Sequence, residues 1–242
     1  MSRRINYIIS ELKDQYLIED NLRPWIIGFS GGKDSTALLQ LAWYALEQIP
    51  HKDRKREIHV VCNDTMVENP IIQEYVDEVL KKIENTAVCR GLPVKVQKTI
   101  PRLEDSFWVN VVGRGYIVPN NTFRWCTDRM KIKPTSRFIT EQVAENGEAI
   151  ILVGTRRSES ITRANTIKKY EIKGNRLTKH PNQMNTYMYS PIKELMLEEV
   201  WYIINKMISP WGADNSNVKE DKLIEQKINE QNYNNSSFRH SL

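Results

Sequence analysis

Two glycines set between serines, in Ser30-Gly31-Gly32-Lys33-Asp34-Ser35, are well suited to gripping an oxyanion. Glycine has no Cβ, so neighbouring backbone N–H groups can close on a phosphate. The hydroxyls of Ser30 and Ser35 add donors and Lys33 adds charge. Asp34 repels a bare phosphate but becomes useful beside a bound Mg²⁺. An apolar run precedes these residues and a helical pattern follows, so a helix N-terminus turns its unsatisfied N–H groups and positive dipole end to the same point. Gly28 and Gly32 enclose three residues where a Gly-x-x-x-x-Gly-Lys-Ser/Thr loop needs four, and Gly-x-Gly-x-x-Gly is absent. The competing reading is a glycine turn with a helix cap at Asp34 or Ser35.

Three further stretches carry candidate chemistry. Asp64 and Thr65 end an apolar strand beside the loop, where they either reach a nucleotide or cap the next element. The run Phe123-Arg124-Trp125-Cys126-Thr127-Asp128-Arg129-Met130-Lys131-Ile132-Lys133-Pro134 sets four cations around one cysteine. Nearby cations favour a thiolate and also bind phosphates; a solvated basic loop around a buried cysteine has the same composition. Gly154-Thr155-Arg156-Arg157-Ser158-Glu159-Ser160-Ile161-Thr162-Arg163 follows another strand. There Arg156, Arg157 and Arg163 either surround an anion, with Glu159 orienting one of them, or form an exposed charged helix start.

The six-residue loop resembles the signature of the PP-loop ATP pyrophosphatases, which cleave ATP between its α and β phosphates and typically adenylylate an oxygen. The segment from Cys126 to Pro134, with Lys131 at its basic position, and the pattern of Gly154, Arg156, Glu159, Ser160 and Arg163 resemble the phosphoadenylylsulfate-reductase-like branch of that group. Within it the chain resembles the DndC-like sulfurtransferases of DNA phosphorothioation, over residues 25–50, 61–70, 104–116, 123–137, 154–163 and 205–215. The resemblance implies replacement of a non-bridging DNA phosphate oxygen by sulfur. DNA, a cysteine desulfurase and other phosphorothioation proteins are the implied partners. ATP, Mg²⁺ and a [4Fe–4S] cluster are the implied cofactors. Lys33, Asp34, Cys126 and Arg156 take the implied catalytic roles. Ser30, Gly31, Gly32, Lys33, Asp34, Ser35, Asp64, Thr65, Gly154, Arg156 and Arg163 are expected to hold the nucleotide, with Asp34 on Mg²⁺.

The chain departs from that pattern in two ways. DndC-like chains continue into a region with further cluster cysteines, whereas this one ends at Leu242 and holds only Cys62, Cys89 and Cys126. Cubane clusters normally take four Cys ligands, and only Cys126 matches a family ligand. The expectation is a shortened or split protein that binds no cluster by itself. It also lacks the Glu-Cys-Gly-type tail of the reductases. Another PP-loop thiolation or reductase-like enzyme, or an inactive nucleotide-binding subunit, are the alternatives.

The elements that must position these residues follow from hydrophobic period. Residues 4–17, 35–48, a segment opened by Pro70 and 197–208 have helical spacing. Residues 25–29, 58–62, 94–97 and 149–153 read as buried strands, whereas 165–186 reads as polar loop and 101–135 stays unassigned. Strands alternating with helices imply an open, mainly parallel α/β sheet with helices on both faces, of the adenine nucleotide alpha-hydrolase-like type. Residues 1–212 are expected to form the PP-loop domain and 213–242 a polar, disordered tail.

The net charge of +5 and pI of about 9.0 favour an anionic partner. Three cysteines without a C-x-x-C pair argue against a secreted disulfide framework. With no signal-peptide pattern and no run of about 20 apolar residues, the expected location is cytoplasmic.

Overall fold

The computed structural model describes residues 2–17, 23–120, 122–172 and 174–212. The tail expected over 213–242 lies outside them. In chain order the elements are α1 (Ser2–Leu17), β1 (Trp25–Gly28), α2 (Lys33–Glu47), β2 (Ile58–Asn63), α3 (Pro70–Cys89), β3 (Val94–Thr99), α4 (Trp125–Thr127), α5 (Lys133–Asn146), β4 (Ala149–Leu152), α6 (Ile161–Tyr170), β5 (Leu177–Lys179), β6 (Thr186–Tyr189) and α7 (Leu197–Lys206).

The central strands are short and apolar on both faces, as strands of a covered parallel sheet must be. The strand order is β3-β2-β1-β4-β6-β5, parallel throughout except for β5 at the edge. Alternation sorts the side chains. Trp25 and Ile27 pack in one core with α1, α2, α3 and α7, while Ile26, Val61 and Ile151 meet Phe138 and Ile139 of α5 on the other face. The open, mainly parallel α/β sheet with helices on both faces is therefore the fold. Because the order reverses between β1 and β4, the carboxyl ends of these strands flank a crevice, the usual ligand position in such sheets. Among the described residues no helix is long and apolar enough to cross a membrane.

The structure differs from the sequence reading at 165–186. Ile161–Tyr170 is a helix, capped by the Ser160 side chain accepting from Arg163 N, and β5 and β6 follow. No residue of α6 is buried, so its apolar period is weak. The short β6 is held by parallel pairing to β4, a long-range contact with no local pattern. The unassigned 101–135 region contains two π-helical turns, Val109–Gly113 and Asp128–Ile132.

Candidate functional site

The phosphate loop leaves β1 and enters α2 through Gly31 at φ +74°, in the left-handed region. A Cβ there would stand 2.8 Å from Val76 Cγ2, so glycine is required both for φ and for space. The serines brace the turn. Ser35 Oγ donates to Gly32 O at 2.9 Å, lies 3.3 Å from Ser30 Oγ and accepts from Ser30 N. Gly32 is the N-cap of α2 and has no side chain to bond the first turn. That turn's N–H groups lack intrahelical partners, which leaves an anion as their natural acceptor.

Asp34 and Arg156 form the charged centre. Arg156 Nε donates to Asp34 Oδ1 at 2.5 Å, and Arg156 Nη1 donates to Ser158 Oγ at 2.8 Å. Arg156 is only 3% exposed. Sequence reasoning set Arg156 among residues surrounding an anion; the structure turns its guanidinium inward to grip Asp34. Gly154 lets the two segments meet, since a Cβ on it would stand 3.2 Å from the Asp34 carbonyl oxygen. Asp34 Oδ2 has no partner among the described residues, which leaves one carboxylate oxygen for a cation. That suits Mg²⁺, which commonly takes one or two carboxylates and completes its shell with phosphates and water.

Beside the loop, the carboxyl ends of β1 and β2 open on a cavity of about 310 Å³, reached also by α3, Lys98 and Lys131. Asp64 is there, its carboxylate accepting from Met66 N and Gln73 Nε2 and lying 3.3 Å from Lys98 Nζ. Lys98 also donates to Asp77 at 2.8 Å, a bond that raises its pKa and keeps it charged. Thr65 is buried, and its hydroxyl donates to Glu68 at 3.1 Å. Lys98 and Gln73 escaped the sequence reading. The readable signal for Lys98 was a cation at the carboxyl end of a strand, in register with Cys62.

The cysteine segment lies on a scaffold supplied by residues 104–116. Trp125, next to Cys126, stacks on Phe107 with centroids 5.9 Å apart and meets Tyr116 edge-on. Arg129 donates to the buried Asn110 side chain at 2.8 Å and to the Tyr116 hydroxyl at 2.9 Å. Lys131 reaches the cavity rim, 3.6 Å from Glu68. Arg163 is not at the loop; it is half exposed, 3.6 Å from Glu159, and lines a second cavity.

The cysteines do not suit a four-thiolate cluster. The chain holds three, and among the described residues no three His, Cys, Asp or Glu side chains converge as metal ligands. Cys62 is buried at the cavity wall, Cys89 is exposed at the end of α3 and Cys126 is half-buried. Burial pushes the Cys62 thiol up to about 11. A raised thiol pKa keeps the unreactive protonated form below that pH. At pH 8 iodoacetamide should therefore modify Cys89 and spare Cys62 until the protein unfolds. Peptide mass mapping checks this, and ready alkylation of Cys62 in the folded chain would contradict it.

A family model described as the phosphoadenosine phosphosulfate reductase domain matches residues 24–211. An uncharacterized protein of Methanocaldococcus jannaschii is 28% identical over 209 residues, covering 84% of this chain and 35% of that protein. The chain thus spans about a third of the length of that curated relative. Among solved structures, the NH3-dependent NAD synthetase of Campylobacter jejuni aligns with a TM-score of 0.52 at 12% identity, over 100% of this chain and 87% of that one. The glutamine-dependent NAD+ synthetase of Acinetobacter baumannii, in complex with ADP, gives 0.51 at 14% identity, over 90% and 35%. These two are likenesses of fold.

Proposed function

Because the chain belongs to the phosphoadenosine phosphosulfate reductase domain family, we propose that it binds ATP at the 30–35 loop and cleaves it between the α and β phosphates to activate an acceptor oxygen for sulfur transfer. The observation that carries this reading is the pairing of an open helix N-terminus with a buried Arg156 that fixes Asp34 beside it. In the proposal the N–H groups of the loop and first turn of α2 hold the terminal phosphates, with Lys33 adding charge. The nucleoside enters the cavity bounded by Asp64 and Lys98. Asp34 Oδ2 would hold Mg²⁺, which supplies neutralisation of phosphate charge when bound. Arg156 keeps the Asp34 carboxylate aimed. The acceptor oxygen attacks the α-phosphorus, the α–β P–O bond breaks and pyrophosphate leaves; a sulfur nucleophile then displaces AMP.

The finer proposal takes DNA as the acceptor, with a desulfurase and other phosphorothioation proteins as partners and Cys126 near the sulfur. Exposed Arg124 beside Cys126 suits an approaching backbone phosphate. An RNA base oxygen is the alternative acceptor, and reduction of a sulfonucleotide is the other chemistry that the family assignment accommodates. Incubation with Mg·ATP alone should slowly release pyrophosphate and AMP, with water attacking the α-phosphorus in place of the acceptor oxygen. Asp34→Asn keeps an acceptor for Arg156 but removes the charge, and is expected to lower that release at least a hundredfold while the chain stays folded. Orthophosphate and ADP as products, or full activity in the variant, would sink the reading. Phosphorothioate-linked dinucleotides in DNA from producing cells would separate the DNA acceptor from the others.

A further inference from the structure

The carboxyl ends of the sheet carry a second, larger cavity of about 1050 Å³, beyond β4 and β6 and under α1 and α6. Its position follows from the residues after β4. Arg156 has extended backbone, so neighbouring side chains point to opposite sides. Gly154 and Arg156 turn to Asp34 of the phosphate loop. Thr155 lines the second cavity, and Arg157 bonds Glu171 and Glu194, which line it too. One segment therefore has the phosphate loop on one side and this cavity on the other.

The lining chemistry points to a ligand. Tyr189 lines the cavity beside Met188 and is only 4% exposed. The cavity's charged side chains are four cations, Arg4, Arg163, Arg176 and Lys193, against three carboxylates, Glu11, Glu171 and Glu194. Two of the cations are loosely held: Arg163 stands 3.6 Å from Glu159, and Arg176 stands 3.4 Å from Glu11 and 3.8 Å from Asp14. None of these three contacts has the length of a charge-assisted hydrogen bond, so both guanidiniums can be recruited by an entering phosphate. Tyr7 of α1 and Tyr170 of α6 add aromatic surface to the lining, and flat rings stack on such surfaces.

We propose that this cavity binds a second nucleotide unit, a phosphate ester bearing a planar base, with its phosphate on Arg163 and Arg176. Its role as the acceptor subsite rests on the function proposed above; the binding itself does not.

Isothermal titration of the full chain with thymidine 5′-monophosphate, with the trinucleotide of thymidylate, and separately with Mg·ATP tests the proposal. Substituting the half-exposed pair, Arg163→Ala with Arg176→Ala, should weaken both thymidylate ligands at least tenfold and leave Mg·ATP within twofold. Gly32→Val should do the converse, weakening Mg·ATP only. Tenfold tighter binding of the trinucleotide marks a strand as the source of the unit, and equal affinities mark a free nucleotide. Thymidylate affinities unchanged by the arginine pair, or no binding at millimolar concentration, would overturn the proposal. If Mg·ATP fails to bind while the thymidylates follow the arginines, the ATP reading falls and the second site stands.

Discussion

Arg156→Ala should destabilise the protein by about 3 kcal/mol or more and abolish ATP turnover. Removing one partner of a buried ion pair typically costs about 3–5 kcal/mol, because the other charge is left uncompensated. Asp34 is partly exposed, which favours the lower end. For a chain of this size such a loss lowers Tm by roughly 6–12 °C. Arg156→Lys should not rescue turnover, since a single ammonium cannot reproduce the fork that holds Asp34 and Ser158 together. Thermal unfolding and pyrophosphate release on the same samples decide the matter. An Arg156→Ala protein that melts with the wild type and still turns over ATP would show that the pair neither holds the loop nor serves it.

Gly31→Ala should cost a further class of energy, from backbone and space together. An L-residue in the left-handed region is strained by roughly 1–2 kcal/mol. The new methyl also meets Val76 at 2.8 Å in a packed core, and overpacking typically costs about 1–3 kcal/mol. A total near 3 kcal/mol is expected. Val76→Ala makes room for the methyl, so the double variant should lose less than the sum of the single ones. Strict additivity would mean that α3 does not press on the phosphate loop as described.

Strands β1 to β4 and helices α2 and α3 were legible because buried parallel strands are apolar runs and the helices over them keep a 3.6-residue period. Pro70 marked the first turn of α3, where its missing N–H is harmless, and Asn69 caps it by accepting from Ile71 N. Strand β6 was illegible because its stability comes from parallel pairing with β4, more than thirty residues away along the chain, and β5 because it is held only by pairing with β6. The phosphate loop was readable from glycine placement alone. The inward turn of Arg156, the burial of Thr65 and the arrival of Lys98 at the cavity were not. Each depends on which face a side chain takes after a strand ends, and residue type does not encode that. Residues 104–116 and 123–137 were marked as related stretches; their contact through Phe107, Trp125, Asn110 and Arg129 exists only in three dimensions.

Titration calorimetry of Mg·ATP into the wild type and Gly32→Val tests the central claim most directly. Gly32 has an ordinary φ of −78°, and a Cβ there would stand 3.4 Å from Ser30 Oγ. Valine can therefore be built without backbone strain, yet it crowds the loop where phosphate must approach its N–H groups. Each lost bond to a charged group should cost about 1.5–3 kcal/mol, or roughly ten- to a hundredfold in affinity. The account predicts one ATP per wild-type chain and at least tenfold weaker binding in a variant of unchanged Tm. Equal affinities in the two proteins, or no ATP binding by the wild type, would contradict it.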